Sequence, residues 1–184
     1  MEQQEHQRRM KLSISNIAWI GEQDETVYDW MQDLGFSGLE IAPTRIFPER
    51  PYEHLKDAAG WAKKLKEECG FTVPSMQSIW FGRTEGLFGT EEERTALLDY
   101  TRKAIDFAEA VGCHNLVFGC PRNRNMPEMS EEYAASCMDL AITFFRELGE
   151  YAREHGTVIG MEANPPMYHT NFINTTKEAL ELVE

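Results

Sequence analysis

The chain carries little that suits it to a membrane, a nucleic acid or an oxidising compartment. No apolar run approaches the roughly 20 residues that a membrane helix needs. The first residues, MEQQEHQRRM, are charged and polar and lack the apolar stretch of a secretory signal. We read residues 1–10 as a disordered lead-in and expect a cytoplasmic protein. Basic residues are scarce: 18 Lys and Arg stand against 31 Asp and Glu, for a net charge of −13. A duplex binder needs clustered cations to displace counterions, so neither nucleic acid nor a membrane is an expected partner. Cysteine is sparse too. Cys69, Cys113, Cys120 and Cys137 form no C-x-x-C pair, which argues against a zinc site or a disulfide framework and predicts buried free thiols. Glycine-rich phosphate loops are also missing, with neither G-x-G-x-x-G nor a P-loop anywhere.

What the chain does have is alternation. KLSISNIAW (11–19) reads as a first strand, and Asp24 stands where an N-cap would open the helix DETVYDWMQDLG. FSGLEIAP (36–43) reads as a second strand, followed by a loop with two prolines over 44–54 and a helix over 55–69 that Gly70 stops. FTVPSMQSIWFG (71–82) reads as a third strand. The helix over 90–111 opens on T-E-E-E, a capping-box pattern, and Gly112 closes it. HNLVFGCP (114–121) is the fourth strand, a helix over 130–154 follows, and TVIGMEANPP (157–166) is the fifth strand. Thr175 and Thr176 open a last helix. Strands and helices in such regular order predict an α/β fold with a parallel sheet, in one domain over 11–184. Periodicity leaves two architectures open: a five-stranded doubly wound sheet, or part of a (βα)₈ barrel of about 250 residues.

Either fold places its chemistry at the carboxyl ends of the strands. The polar and aromatic residues there are Asn16, Trp19, Glu40, Gln77, Ser78, Trp80, Arg122, Arg124, Glu162 and Asn164. Glu40 suits substrate hydroxyls or a salt bridge. Trp19 and Trp80 suit an apolar wall against a sugar ring or packing at the rim. Arg122 and Arg124, in PRNRN, suit bidentate binding of a phosphate or carboxylate, or a solvated loop. His169 follows the fifth strand, within reach of substrate or free at the surface. His114 opens the fourth strand at its amino end and reads as structural.

The segments SISNIAW, GLEIAP, SMQSIWFGRTEGLFG, LVFGCPRNRN and MEANPPMYHTNFINTTKEALELV together resemble the xylose isomerase-like superfamily of sugar phosphate isomerases and epimerases. The resemblance runs from about residue 11 to 184, and its most specific parts are FGCPRNR and the fifth-strand Glu with its N-F-I-N-T-T continuation. It implies parallel βα repeats of a TIM barrel, with about five of the eight units of that fold present. It also implies metal-assisted proton transfer next to the carbonyl of a sugar or sugar phosphate, with Gln77 among the substrate contacts. In that family a divalent cation (Mn, Mg or Co) is held by a Glu of strand five and by Asp, His and Glu from strands six to eight. Glu162 matches the first of these, as ligand and catalytic residue. The other three have no counterpart in this chain, so the resemblance implies either an incomplete site or no metal here. It also implies free sheet edges suited to self-association. A non-catalytic five-stranded module is the competing reading. An endonuclease IV-like repair enzyme, which uses a richer multi-zinc set, is disfavoured by the −13 charge and by strands two and three ending without histidine.

Overall fold

Three of the helices begin where the sequence supplies a side-chain cap. The computed structural model describes residues 10–127 and 130–184, so the expected lead-in over 1–10 lies, but for Met10, outside the described residues. Helix α1 spans Asp24–Asp33, α2 Pro43–Ile46, α3 Leu55–Cys69, α4 Glu91–Val111, α5 Glu131–Glu154 and α6 Thr176–Val183. Thr90 accepts from the Glu93 N–H at 3.3 Å while Glu93 accepts from the Thr90 N–H at 2.8 Å, a complete capping box for α4. Thr175 and Glu178 repeat it at α6, and the Ser130 hydroxyl caps α5.

Asp24 departs from expectation. It is the first residue of α1 and caps nothing; its carboxylate instead accepts from Trp19 Nε1 at 2.7 Å and pairs with Arg45 at 2.8 Å. A charge-assisted bond to a guanidinium is stronger than one to a backbone amide, and Arg45 is brought within reach because 44–54 is not plain loop. That stretch contains α2 and a 3-10 turn over Pro51–Glu53.

The strands are parallel and shorter than expected: β1 Ser13–Ser15, β2 Gly38–Glu40, β3 Asn115–Phe118 and β4 Val158–Met161. Within the ladders β1 pairs with β2, and β3 with β4. The expected third strand appears only as isolated bridges, Thr72 to Gly38 and Met76 to both Ile41 and Leu116. Pro74 explains the interruption, since it has no N–H to place in a ladder. The segment still joins the two pairs: Ile41 N donates to Ser75 O at 3.1 Å, Met76 N to Asn115 O at 2.9 Å and Val117 N to Met76 O at 2.7 Å. Gly38 is needed where these lines converge. A Cβ there would stand 2.9 Å from the Pro74 ring and 3.0 Å from Ser13 Cβ.

Side chains alternate across this array. Leu39, Ile41, Met76, Leu116 and Phe118 are fully buried against the helices, with Ala58, Leu97, Ile105 and Leu148 in the same core. The opposite face carries Ser15, Glu40, Ser75, Gln77 and Asn115, small or polar residues that a filled core would not tolerate without partners. All four cysteines are free, with Cys113 and Cys137 buried and Cys69 and Cys120 half-buried. Among the described residues, no helix is long and apolar enough to cross a membrane.

Candidate functional site

The polar face of the array opens, at the carboxyl ends of the strands, into a cleft of about 600 Å³. Glu40 from the end of β2, Gln77 from the interrupted third line, Gly119 and Cys120 after β3, and Glu162 and Asn164 after β4 line it. Two carboxylates therefore share one cleft, and each is held by different means.

Glu40 is fixed from the neighbouring line. Its two oxygens accept from the Ser75 hydroxyl at 2.7 Å and from Gln77 Nε2 at 3.0 Å. Gln77 Nε2 also donates to the Ser15 hydroxyl at 2.6 Å, which ties the amide to β1. The third line thus braces Glu40 directly, and Ser15 of β1 braces it through Gln77.

Glu162 is placed by a buried arginine two steps away. Arg124 Nη2 donates to the Glu162 backbone carbonyl at 2.8 Å and to Asn164 Oδ1 at 2.8 Å. Asn164, with its carbonyl side so engaged, turns Nδ2 to the Glu162 carboxylate at 3.1 Å. Gly119 makes room for that carboxylate: a Cβ at 119 would lie 2.4 Å from Glu162 Oε2 and 3.4 Å from Asn164 Oδ1. Two asparagines hold the surrounding loops. Asn174 Nδ2 donates to Asn164 O at 2.8 Å, and Asn171 exchanges two bonds with the Met126 backbone, at 2.6 and 2.9 Å. Cys120 lies at the same rim with a left-handed φ of 41°. Burial pushes its thiol up to about 12, so it stays protonated and serves as wall rather than nucleophile.

Of the side chains expected at the site, the structure brings Glu40, Gln77 and Glu162 together. It does not bring Trp80 or Arg124 into the cleft. Trp80 lies in the helix layer, edge-on to Phe118 with ring centres 4.7 Å apart, and donates Nε1 to the Thr101 hydroxyl at 2.7 Å. Arg124 has no exposed surface, and its Nη2 is spent on Glu162 and Asn164 after β4. Trp19 stands half-buried beside α1, tied to Asp24 and edge-on to Tyr28. Arg122 and His169 are exposed on their loops, and Tyr168, next to His169, is the one that lines the cleft. Ser15 and Ser75 are not singled out by the sequence, and Asn164 is expected only as a strand-end residue without a stated role. The signal for the first two was available in the alternation itself, two and four positions along from residues of the same face. His114 does hold structure, its Nδ1 lying 3.1 Å from the Gly156 carbonyl.

Among the described residues, no three His, Cys, Asp or Glu side chains gather closely enough to hold a metal ion. Glu162 is a single donor, and its nearest companion is an amide. The described residues do not make a metal centre.

Residues 28–184 match the family model described as xylose isomerase-like TIM barrel. No curated protein matches the chain in sequence. Solved structures with a similar fold include a 3-keto-D-glucoside 4-epimerase from E. coli (19% identity, TM-score 0.67), covering 95% of this chain and 64% of the other. A D-psicose 3-epimerase is similar at 15% identity and TM-score 0.69, covering 95% and 59%. A family 2 AP endonuclease from Brucella melitensis is similar at 19% identity and TM-score 0.67, covering 95% and 64%. The chain thus spans less than two thirds of the length of each. At these identities the likeness is one of fold.

Proposed function

Since the chain belongs to the xylose isomerase-like TIM-barrel family, we propose that its cleft takes a sugar or sugar phosphate and moves a proton at the carbon beside a carbonyl, as an isomerase or epimerase does. The observation that carries this reading is the pairing of Glu40 and Glu162 in one cleft at the carboxyl ends of parallel strands. Several of the similar folds bear epimerase names, which agrees with it. A carboxylate braced by Ser75 and Gln77 keeps lone pairs for sugar hydroxyls, so Glu40 orients the substrate. Glu162 takes the proton. The C–H electron pair then moves into the carbon–carbon bond of an enediol(ate) as the carbonyl oxygen gains charge, and the protonated carboxyl returns the proton to carbon. Tyr168 and Cys120 narrow the cleft and limit water beside the reacting carbon.

Incubation of the protein with a panel of ketoses, aldoses and their phosphates in D₂O, with Mg²⁺ or Mn²⁺ supplied, tests the reading directly. Proton NMR should show deuterium entering one carbon adjacent to the carbonyl of at least one sugar. A panel that exchanges no faster than without protein would defeat it.

The reading extends to assembly. Among the described residues, β1 pairs only with β2 and β4 only with β3, which leaves an open edge at each end of the array. A groove of about 990 Å³ runs beside β4, and Val158, Leu180 and Val183 near it are 57%, 53% and 63% exposed. Unpaired edges flanked by apolar side chains favour self-association. Sedimentation velocity over a micromolar concentration series should show a species larger than one chain; a monomer throughout would exclude it.

A further inference from the structure

A second cleft on the same strand-end side of the molecule collects the cations that the first one lacks. It holds about 400 Å³ and lies between the loops after β2 and after the third line, against α4. Arg50, Arg83 and Lys103 line it, with Glu53 as its one carboxylate. In a chain of net charge −13 three cations at one cleft are a distinctive feature of the surface, with Arg50 paired to Glu53, Arg83 paired to Glu85 and Lys103 left without a carboxylate among the described residues.

The cleft is built rather than incidental. Gly82, with φ of 81°, lets the chain turn so that Arg83 N donates to Trp80 O at 2.9 Å. Asn123 clamps the turn by donating to the carbonyls of Arg83 and Glu85 at 3.1 and 2.9 Å. The Arg83 guanidinium carbon then lies over the Tyr100 ring, 4.7 Å from its centre. One terminal nitrogen pairs with Glu85, the Nε is buried without a partner, and the other terminal nitrogen has none among the described residues. The buried Nε is costly to leave without a bond, while the unpaired terminal nitrogen of a side chain 31% exposed is open to a ligand. Lys103 is exposed and has no carboxylate partner among the described residues, and Arg50 pairs only with the exposed Glu53.

We propose that this cleft is a binding site for a small oxyanion, a phosphate ester or a carboxylate, with Arg83 as its fixed donor and Lys103 and Arg50 closing around it. The site stands apart from turnover in the neighbouring cleft and does not depend on it. It also replaces Arg122 and Arg124 as the anion-handling cations, since Arg124 is spent on structure.

Isothermal titration of the protein with inorganic phosphate, with glucuronate and with neutral glucose separates the alternatives. Phosphate or glucuronate should saturate one site, and whichever binds more tightly identifies the oxyanion; glucose should not compete. Arg83→Gln should weaken that binding at least tenfold and Lys103→Gln severalfold, while Arg122→Gln, on a different loop, should leave it unchanged. Lys103→Gln alters an exposed side chain and keeps the test valid should Arg83→Gln fail to fold. No saturable binding of either anion, or an equal loss in Arg122→Gln, would overturn the proposal.

Discussion

Glu162→Gln should slow deuterium exchange into substrate by about 10²–10⁴-fold, the usual contribution of a positioned acid–base group, and leave the fold in place. The amide keeps the shape of the carboxyl and an oxygen for Asn164 Nδ2, and the side chain is exposed, so stability should move by no more than about 0.5 kcal/mol. Thermal melting and exchange rates, measured on one preparation, separate the two effects. A companion substitution tests position rather than chemistry. Gly119→Ala retains Glu162 but puts a methyl where its Oε2 now lies, 2.4 Å from the new carbon. A flexible carboxylate can swing aside at small energetic expense, so stability should hold while exchange falls by about 10²-fold, as for a misplacement of about 1 Å. If both variants exchange at the parent rate, Glu162 is a surface carboxylate and the base lies elsewhere.

These two substitutions also show where sequence reasoning reaches its limit. The capping boxes at Thr90 and Thr175 are legible because they are local: four residues contain both donors and both acceptors. The parallel order follows from alternation for the same reason. The interrupted third line is less legible, because Pro74 excludes a regular ladder but does not show that bonds on either side will join two separate pairs. Glu162 can be located by its strand and by family resemblance, yet nothing near it in the sequence says that Asn164 orients it from a position set by an arginine 40 residues before that asparagine. Trp80 and Arg124 show the general difficulty. A tryptophan or arginine at a strand end can face the cleft or turn back to the helices, and the choice is made by partners distant in sequence: Thr101 for one, Glu162 and Asn164 for the other. The oxyanion cleft was hidden for the same reason, since Arg50, Arg83 and Lys103 come from three separate segments.

Arg124 supplies the second large effect, this time on stability. Arg124→Met keeps most of the volume but removes the donors to Glu162 O and Asn164 Oδ1, both bonded at 2.8 Å. Leaving a buried and a part-buried acceptor unsatisfied costs about 1–3 kcal/mol each, the part-buried one at the lower end. Against this stands a gain, because burial disfavours the guanidinium's charge and its Nε has no partner, so an apolar side chain avoids that desolvation. The bonds should win, since the carbonyls remain in place with nothing to replace the donor, and we expect a net loss of about 3 kcal/mol. In a domain of this size that corresponds to a fall of roughly 6–12 °C in Tm. Arg124→Lys should lie between, as one ammonium cannot reproduce the planar fork that reaches both acceptors. Arg122→Met, at an exposed position of the same turn, should change stability by less than about 0.5 kcal/mol. Neutral or raised stability in Arg124→Met would mean that desolvation outweighs the bonds and that Arg124 does not latch the loop after β4. The loss expected here would instead tie the two halves of the site together: the residue that holds the loop in place is also the one that turns Asn164 toward Glu162.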